Sequence, residues 1–428
     1  MANIVMLYNA TQTYTQTVHE HLSAFAAFSG HSYQFVHVSE TARCTVDLSV
    51  YDGLALHYSV RLPLDQISAS WAAAITAFEG HKALFVQDEY EHTRRTWDWI
   101  HRLGMDTVFT CVPQANIARI YPRDIFPNVQ FVNVLTGYVP HSLTELAPPP
   151  PPSTRDVLIG YRGRALAARY GKLGREKLGI GRMVRSYAQA HGHAVDIEWS
   201  EPARIYGDAW YPFVASARAT LGTESGANIF DWDGDLHARI EAAQVLHPQM
   251  GEAELIAHLG LEDIDGLMNQ ISPRAFEAIA LRTVLVLFEG AYSGLLQPGT
   301  HYIALDKDGR NLAQVFAQLQ DGAVLDAMAE RAYADIIASG IASYQSFISR
   351  VDAYTLLPER TAAIDLQPGA TLTPEQAAAP IFAWWQAFAG PDLSPRQRAM
   401  VLAGFAGRLM PAGMRRKIGP AVRRVFGI

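Results

Sequence analysis

Between Gln270 and Gly290 the sequence reads QISPRAFEAIALRTVLVLFEG, and several of its side chains have types and spacing that suit an anion. Ser272 followed by Pro273 marks a helix start, with serine in the capping position and proline in the first turn. Such a start leaves free N–H groups and a partial positive charge, which fit a phosphate or diphosphate. Arg274 adds charge-assisted donors, and Glu277, one turn further on, is placed to accept both hydroxyl protons of a ribose. GYRGR (160–164) follows an apolar run and sets Arg162 and Arg164 on either side of Gly163, which permits close backbone approach. LGTESGANIFDWDG (221–234) follows an apolar run and puts Glu224, Ser225 and Gly226 in a tight loop, which as a plain pattern is an ordinary strand-to-helix turn. Lys177 and Tyr170 are weaker choices, because a helix of that polarity normally shows them to solvent. Asp231, Asp233 and Asp235 alternate with Trp232 and Gly234 in a turn-like stretch, and no metal site is expected there.

These residues need elements to hold them. Short apolar runs at 4–8, 33–38, 53–58, 83–87, 107–112 and 129–134 alternate with amphipathic stretches, the pattern of a parallel sheet covered on both faces. The rhythm restarts at 156–163 and continues at 195–199, 217–222, 283–288 and 302–305. Between the two series stands APPPPPS (147–153), which can join neither ladder nor helix and reads as a hinge. The expected organisation is therefore a first lobe at 1–147, a proline-rich linker at 148–154, a second lobe at 155–330 and a helical region at 331–428. Ser394-Pro395 is a helix start within that last region.

At 428 residues the chain has room for two or three domains, and its 49% hydrophobic content supplies a core for each. Two cysteines, Cys44 and Cys111, are too few for a disulfide framework or a CxxC metal site. The start lacks a basic then apolar leader, and a cytoplasmic location is expected. A net charge of −7 argues against nucleic acid as a partner, since a phosphate track needs clustered cations. The exception is 408–428, which carries Arg408, Arg415, Arg416, Lys417, Arg423 and Arg424 and no acid, beside apolar residues. That mixture suits peripheral contact with an anionic membrane surface; a solvated basic helix face is the alternative.

The chain has no GxxxxGK[ST] loop, no GxSxG elbow, no HExxH and no GxGxxG after its first strand. Arg274-Ala275-Phe276-Glu277-Ala278 resembles the donor-binding motif of GT-B glycosyltransferases, in particular the branch with a CgeB/YkvP-like second lobe. The resemblance covers roughly residues 155 to 320, and departs where Leu281-Arg282-Thr283 replaces the usual Cys-Gly-x turn. It implies two Rossmann-like lobes facing each other across a cleft, an α/β fold, with Glu277 on the ribose of a nucleotide-sugar donor. It also implies metal-independent transfer without a bound cofactor, to a glycan or lipid-linked acceptor in cell-surface polysaccharide synthesis. Retaining members carry a Glu-x7-Glu pair; here Asn269 stands eight residues before Glu277, and Glu224 resembles the displaced first carboxylate. The first lobe would then bind the acceptor, with Asp88 and Glu89 as its foremost candidates. A nucleotide-sugar epimerase on the same lobes and a catalytically degenerate glycan- or partner-binding scaffold remain the rival readings.

Overall fold

The computed structural model describes residues 1–13, 16–205 and 207–355. The Ser394-Pro395 helix start and the basic 408–428 segment lie outside the described residues. The chain forms two compact units. The first comprises Met1–Thr110, Tyr121–Val134 and residues from Tyr344 onward; the second comprises Cys111–Ile120 and Leu135–Ser343.

The first unit holds six parallel strands, β1 (Asn3–Tyr8), β2 (Ser32–His37), β3 (Gly53–Leu56), β4 (His81–Val86), β5 (Thr107–Thr110) and β6 (Gln130–Asn133), in the order β2-β1-β3-β4-β5-β6. All six answer to apolar runs in the sequence. The interior strand NIVMLY (β1) is buried along its whole length, so both faces of the sheet are covered there and no in-out alternation survives. Parallel neighbours need crossovers, which the helices Gln16–Phe28, Ala69–Ala77 and Thr93–Leu103 provide. The helix Tyr344–Tyr354 also belongs to this unit and lies against Gln16–Phe28. There the Phe347 ring stands 5.8 Å from Phe25, and Asp352 accepts from Ser29 Oγ at 2.8 Å and the Gly30 amide at 2.8 Å.

The second unit carries β7 (Val157–Arg162), β8 (Asp196–Glu198), β9 (Ala217–Gly222), β10 (Val284–Phe288) and β11 (Tyr302–Leu305), again parallel, in the order β11-β10-β9-β7-β8. Strand β10 shows why its sequence is wholly apolar. Leu285 and Leu287 face one core with Phe276, Ile279 and Tyr302, while Val284, Val286 and Phe288 face the other with Ile180, Val184 and Leu319. Each buried leucine or valine is worth about 1.5–3 kcal/mol, so this strand anchors both layers. The two units are thus each a doubly wound, Rossmann-like α/β sheet.

The proline stretch lies inside the second unit, not at the division expected of a hinge, because groups other than its missing N–H donors fasten it. Buried Arg155 donates to Pro150 O at 2.9 Å, Ala217 O at 2.8 Å, Thr283 Oγ1 at 2.7 Å and Leu281 O at 2.9 Å. Ser153 adds its amide and hydroxyl to the Asp326 carboxylate at 2.9 and 2.6 Å. The described part of the expected helical region is divided likewise: the π-helical turn Tyr333–Ala338 stays with the second unit, and Tyr344–Tyr354 with the first.

Candidate functional site

The carboxyl ends of β7, β9 and β10 open onto a cavity of about 290 Å³ within the second unit. Crevices at strand carboxyl ends are where open α/β sheets take ligands. Its inner wall is apolar, with Val214, Leu221, Leu285, Leu287 and the Trp210 ring, and its mouth is cationic. Arg162, Arg164, Lys177, Arg204 and Arg274 all line it, and among the described residues no carboxylate does.

The helix Pro273–Ala280 points its N-terminus at this mouth. Ser272 holds the extended backbone of a cap, but its hydroxyl makes no capping bond, so the capping role read from the sequence is positional only. Arg274 is exposed, stacks 4.8 Å over the Trp210 ring and donates to Arg162 O at 3.0 Å. Trp210 Nε1 in turn donates to Glu277 Oε2 at 2.7 Å. Burial pushes the Glu277 carboxyl above its usual range, against the opposing pull of the Trp210 bond and the Arg274 charge. The arginine, indole and carboxylate therefore form one stacked and hydrogen-bonded set beside the cavity.

Arg162 and Arg164 differ. The Arg162 guanidinium is paired in bidentate fashion with Asp196, both contacts at 2.8 Å, and also donates to Ala203 O at 3.0 Å, so its charge is neutralised within the wall. Arg164 is exposed at the mouth. The Gly163 amide is committed to Glu198 O at 2.8 Å; a Cβ at Gly163 would fall 2.9 Å from the Tyr161 ring, so packing excludes a side chain here.

Lys177 is the residue that sequence reasoning underrated. Its ammonium donates to Ser225 Oγ at 2.9 Å, and its pKa falls to about 8 through burial, then the Arg274 charge, with Arg164 adding to this and Glu176 opposing it. The signal was present in the helix Gly171–Ala190. Lys177 lies on the stripe of Leu173, Ile180 and Val184, all fully buried, and so projects inward rather than to solvent.

Glu224 stands behind the cavity, only 4% exposed, and its contacts are internal to the unit. It accepts from Asn269 Nδ2 at 2.7 Å and from the amides of Ala291 and Tyr292 at 3.1 and 2.9 Å. Ser225 exchanges backbone hydrogen bonds with Gln270, and at Gly226 (φ +107) a Cβ would lie 2.2 Å from Met268 O. Asp231 Oδ1 accepts from the amides of Gly234 and Leu236, at 2.7 and 3.3 Å, and so closes the turn into the next helix. Among the described residues no group of acidic, histidine and cysteine side chains is arranged to hold a metal ion.

Asp88 and Glu89 belong to the first unit, just after β4. Asp88 adopts φ +59 and accepts from Tyr90 OH at 2.5 Å, and buried Glu89 accepts from Thr110 Oγ1 at 2.6 Å. A non-glycine residue held at positive φ at a strand end is a place where backbone strain is stored.

No family model matches the sequence, and no curated protein does. Solved structures do resemble the fold. An α-glucosyltransferase in complex with UDP and HMU-containing DNA matches at 11% identity and a TM-score of 0.47, over 82% of this chain and 98% of that one. T4 phage BGT in complex with its UDP-glucose substrate matches at 11% identity and 0.46, over 86% and 100%. Anabaena HepE in complex with UDP and glucose matches at 11% identity and 0.43, over 82% and 99%. At this level of likeness, what the second unit binds must be argued from its own side chains. Among the described residues no helix is long and apolar enough to cross a membrane.

Proposed function

We propose that the chain is a glycosyltransferase that takes a sugar from a nucleotide-sugar donor held by its second unit. The observation that carries this reading is the cavity mouth, where five cationic side chains and a helix N-terminus converge with no lining carboxylate among the described residues, in a chain whose net charge is −7. Clustered positive charge against the overall balance marks a site built for an anion, and the apolar inner wall behind it accommodates a flat ring. Glu277 takes the ribose hydroxyls. In transfer, the bond from the sugar's anomeric carbon to the diphosphate oxygen breaks and the nucleoside diphosphate leaves with the electron pair. The acceptor oxygen bonds to that carbon and gives up its proton, to the departing diphosphate oxygen where configuration is retained; Asp88 and Glu89 are the candidate bases for the inverting course. Arg164, Lys177, Arg274 and the helix dipole stabilise the leaving diphosphate, the task a divalent metal performs elsewhere.

The acceptor in this proposal is a glycan or lipid-linked glycan of a cell-surface polysaccharide, and the basic 408–428 segment brings the cytoplasmic enzyme to an anionic membrane. Retention of anomeric configuration is the course we favour, from the likeness to the retaining enzymes although Asn269 replaces the first carboxylate of their Glu-x7-Glu pair, and it is read by NMR of the product. A thermal-shift screen against nucleoside diphosphates and nucleotide sugars tests the core of the proposal, since a ligand of the folded state must raise its apparent stability. Stabilisation by one nucleotide class, with diphosphate released only when an acceptor is present, is expected. Absence of any shift would overturn the donor site, and release or sugar interconversion without acceptor would point to epimerisation.

A further inference from the structure

Glu224 carries a role different from the one its sequence context gives it. Its carboxylate does not line the cavity; it lies against the turn that follows β10. In that turn Ala291 is right-handed (φ −80, ψ −28) and Tyr292 left-handed (φ +43). Consecutive residues of these two hands point their amides at one spot and form a nest for an anion. Glu224 Oε1 occupies it, at 3.1 and 2.9 Å from the two amides. Oε2 is held by Asn269 at 2.7 Å, and a Cβ on Gly290 would fall 2.6 Å from it.

The turn so held has two outputs. Tyr292 is part of the cavity wall, fixed by its hydroxyl donating to Phe288 O at 2.6 Å. Ser293, also left-handed at φ +56, accepts at Oγ from the Ile271 amide at 3.1 Å, directly before the Ser272–Pro273 helix start. Two successive non-glycine residues at positive φ persist only where surrounding contacts over-determine them, and the Glu224 bonds are the charged ones among those contacts.

We propose that Glu224 is a positioning residue: an internal anion that fills the Ala291–Tyr292 nest and thereby fixes the helix start and the cavity wall that receive the donor's diphosphate. This rests on the proposed donor site for its functional consequence but not for its structural one. Three measurements decide it. Glu224→Ala should melt lower than wild type and recover with added formate, which fits the vacated nest, while wild type shows no such gain. The same variant should bind UDP or GDP, whichever the wild type prefers, about tenfold more weakly, with formate restoring affinity. Glu224→Gln, which keeps an acceptor for the amides, should keep transfer within about tenfold of wild type. Formate without effect on Glu224→Ala would overturn the nest assignment. Unchanged UDP and GDP affinity in Glu224→Ala would overturn the positioning role, and Glu224→Gln with unchanged affinity and transfer reduced about 100-fold would make Glu224 a sugar-contacting catalytic group instead. If Glu224→Ala does not fold, Glu224→Gln alone separates the two roles. If wild type binds neither nucleotide, the donor site fails while the formate measurement still reports on the nest.

Discussion

Lys177 offers the sharpest test of the cationic mouth, because its pKa of about 8 places its titration in an accessible range. If its ammonium meets the diphosphate, binding selects the protonated lysine, and a nearby polyanion raises the lysine's pKa in the complex. With a free-state value of about 8, roughly nine tenths of the lysine is charged at about pH 7 and roughly one tenth at about pH 9. Nucleoside diphosphate affinity should therefore fall about tenfold across that interval, in which the phosphate is already ionised. Lys177→Gln should lose one charge-assisted hydrogen bond, about 2 kcal/mol, and bind roughly thirtyfold more weakly at about pH 7. It should also lose the pH dependence. The empty protein should behave in the opposite sense: the lysine's folded-state pKa lies below its ordinary value of 10.5, so the unfolded chain binds more protons between the two values and stability rises with pH there. Calorimetric titration and thermal melts at several pH values measure both trends. Parallel loss of affinity in wild type and Lys177→Gln would show that another group titrates, and a variant within twofold of wild type would remove Lys177 from the site.

Two further outcomes follow from buried groups. Burial raises the Glu277 carboxyl pKa, so its contribution to stability is present at low pH and is lost as pH rises through the folded-state value; Glu277→Gln should therefore melt higher than wild type at neutral pH. The same variant should bind nucleoside diphosphate about tenfold more weakly, through loss of the ribose contact, as calorimetry would show. Arg155→Met should leave the carbonyls of Ala217 and Leu281 without their donor and cost about 3 kcal/mol in chemical denaturation, with little effect on nucleotide affinity in the fraction that stays folded.

The strands were legible because each carries its signal locally. A parallel strand covered on both faces is an unbroken apolar run, as in NIVMLY (β1) and VLVLF (β10), and all eleven strands overlap the segments read from the sequence, although DIE (β8) and ARATLG (β9) are only partly apolar and partly buried. The unit division was not legible. Proline density marks where a backbone cannot join a ladder, but whether such a segment hinges or is anchored depends on donors distant in sequence, here Arg155 with Thr283 and Leu281. The return of Tyr344–Tyr354 to the first unit is equally a matter of distant partners, Ser29 and Gly30 with Asp352. In the site, Arg274 lines the cavity from the helix start the sequence marks, whereas Glu277, one turn on, is not among the lining residues and bonds to the Trp210 indole. The separation of Arg162 from Arg164 was not, because Asp196 neutralises Arg162 from a neighbouring strand and no spacing rule connects the two.

That neutralisation decides what the mouth can do. Of its five cations, Arg162 is paired with Asp196 at 2.8 Å and Arg204 with Glu201 at 2.9 Å, which among the described residues leaves Arg164, Lys177 and Arg274 as the unneutralised cations of the lining. A diphosphate esterified at both ends carries about two negative charges, and the departing nucleoside diphosphate gains roughly one more. Three unneutralised cations therefore match the leaving group better than the donor. Interactions stronger at the end of bond cleavage than at its start lower the barrier rather than merely tighten binding. It follows that removing Arg164, which has no carboxylate partner among the described residues, should reduce the rate of transfer more than it reduces donor affinity. Equal losses in the two would mean that the mouth only binds.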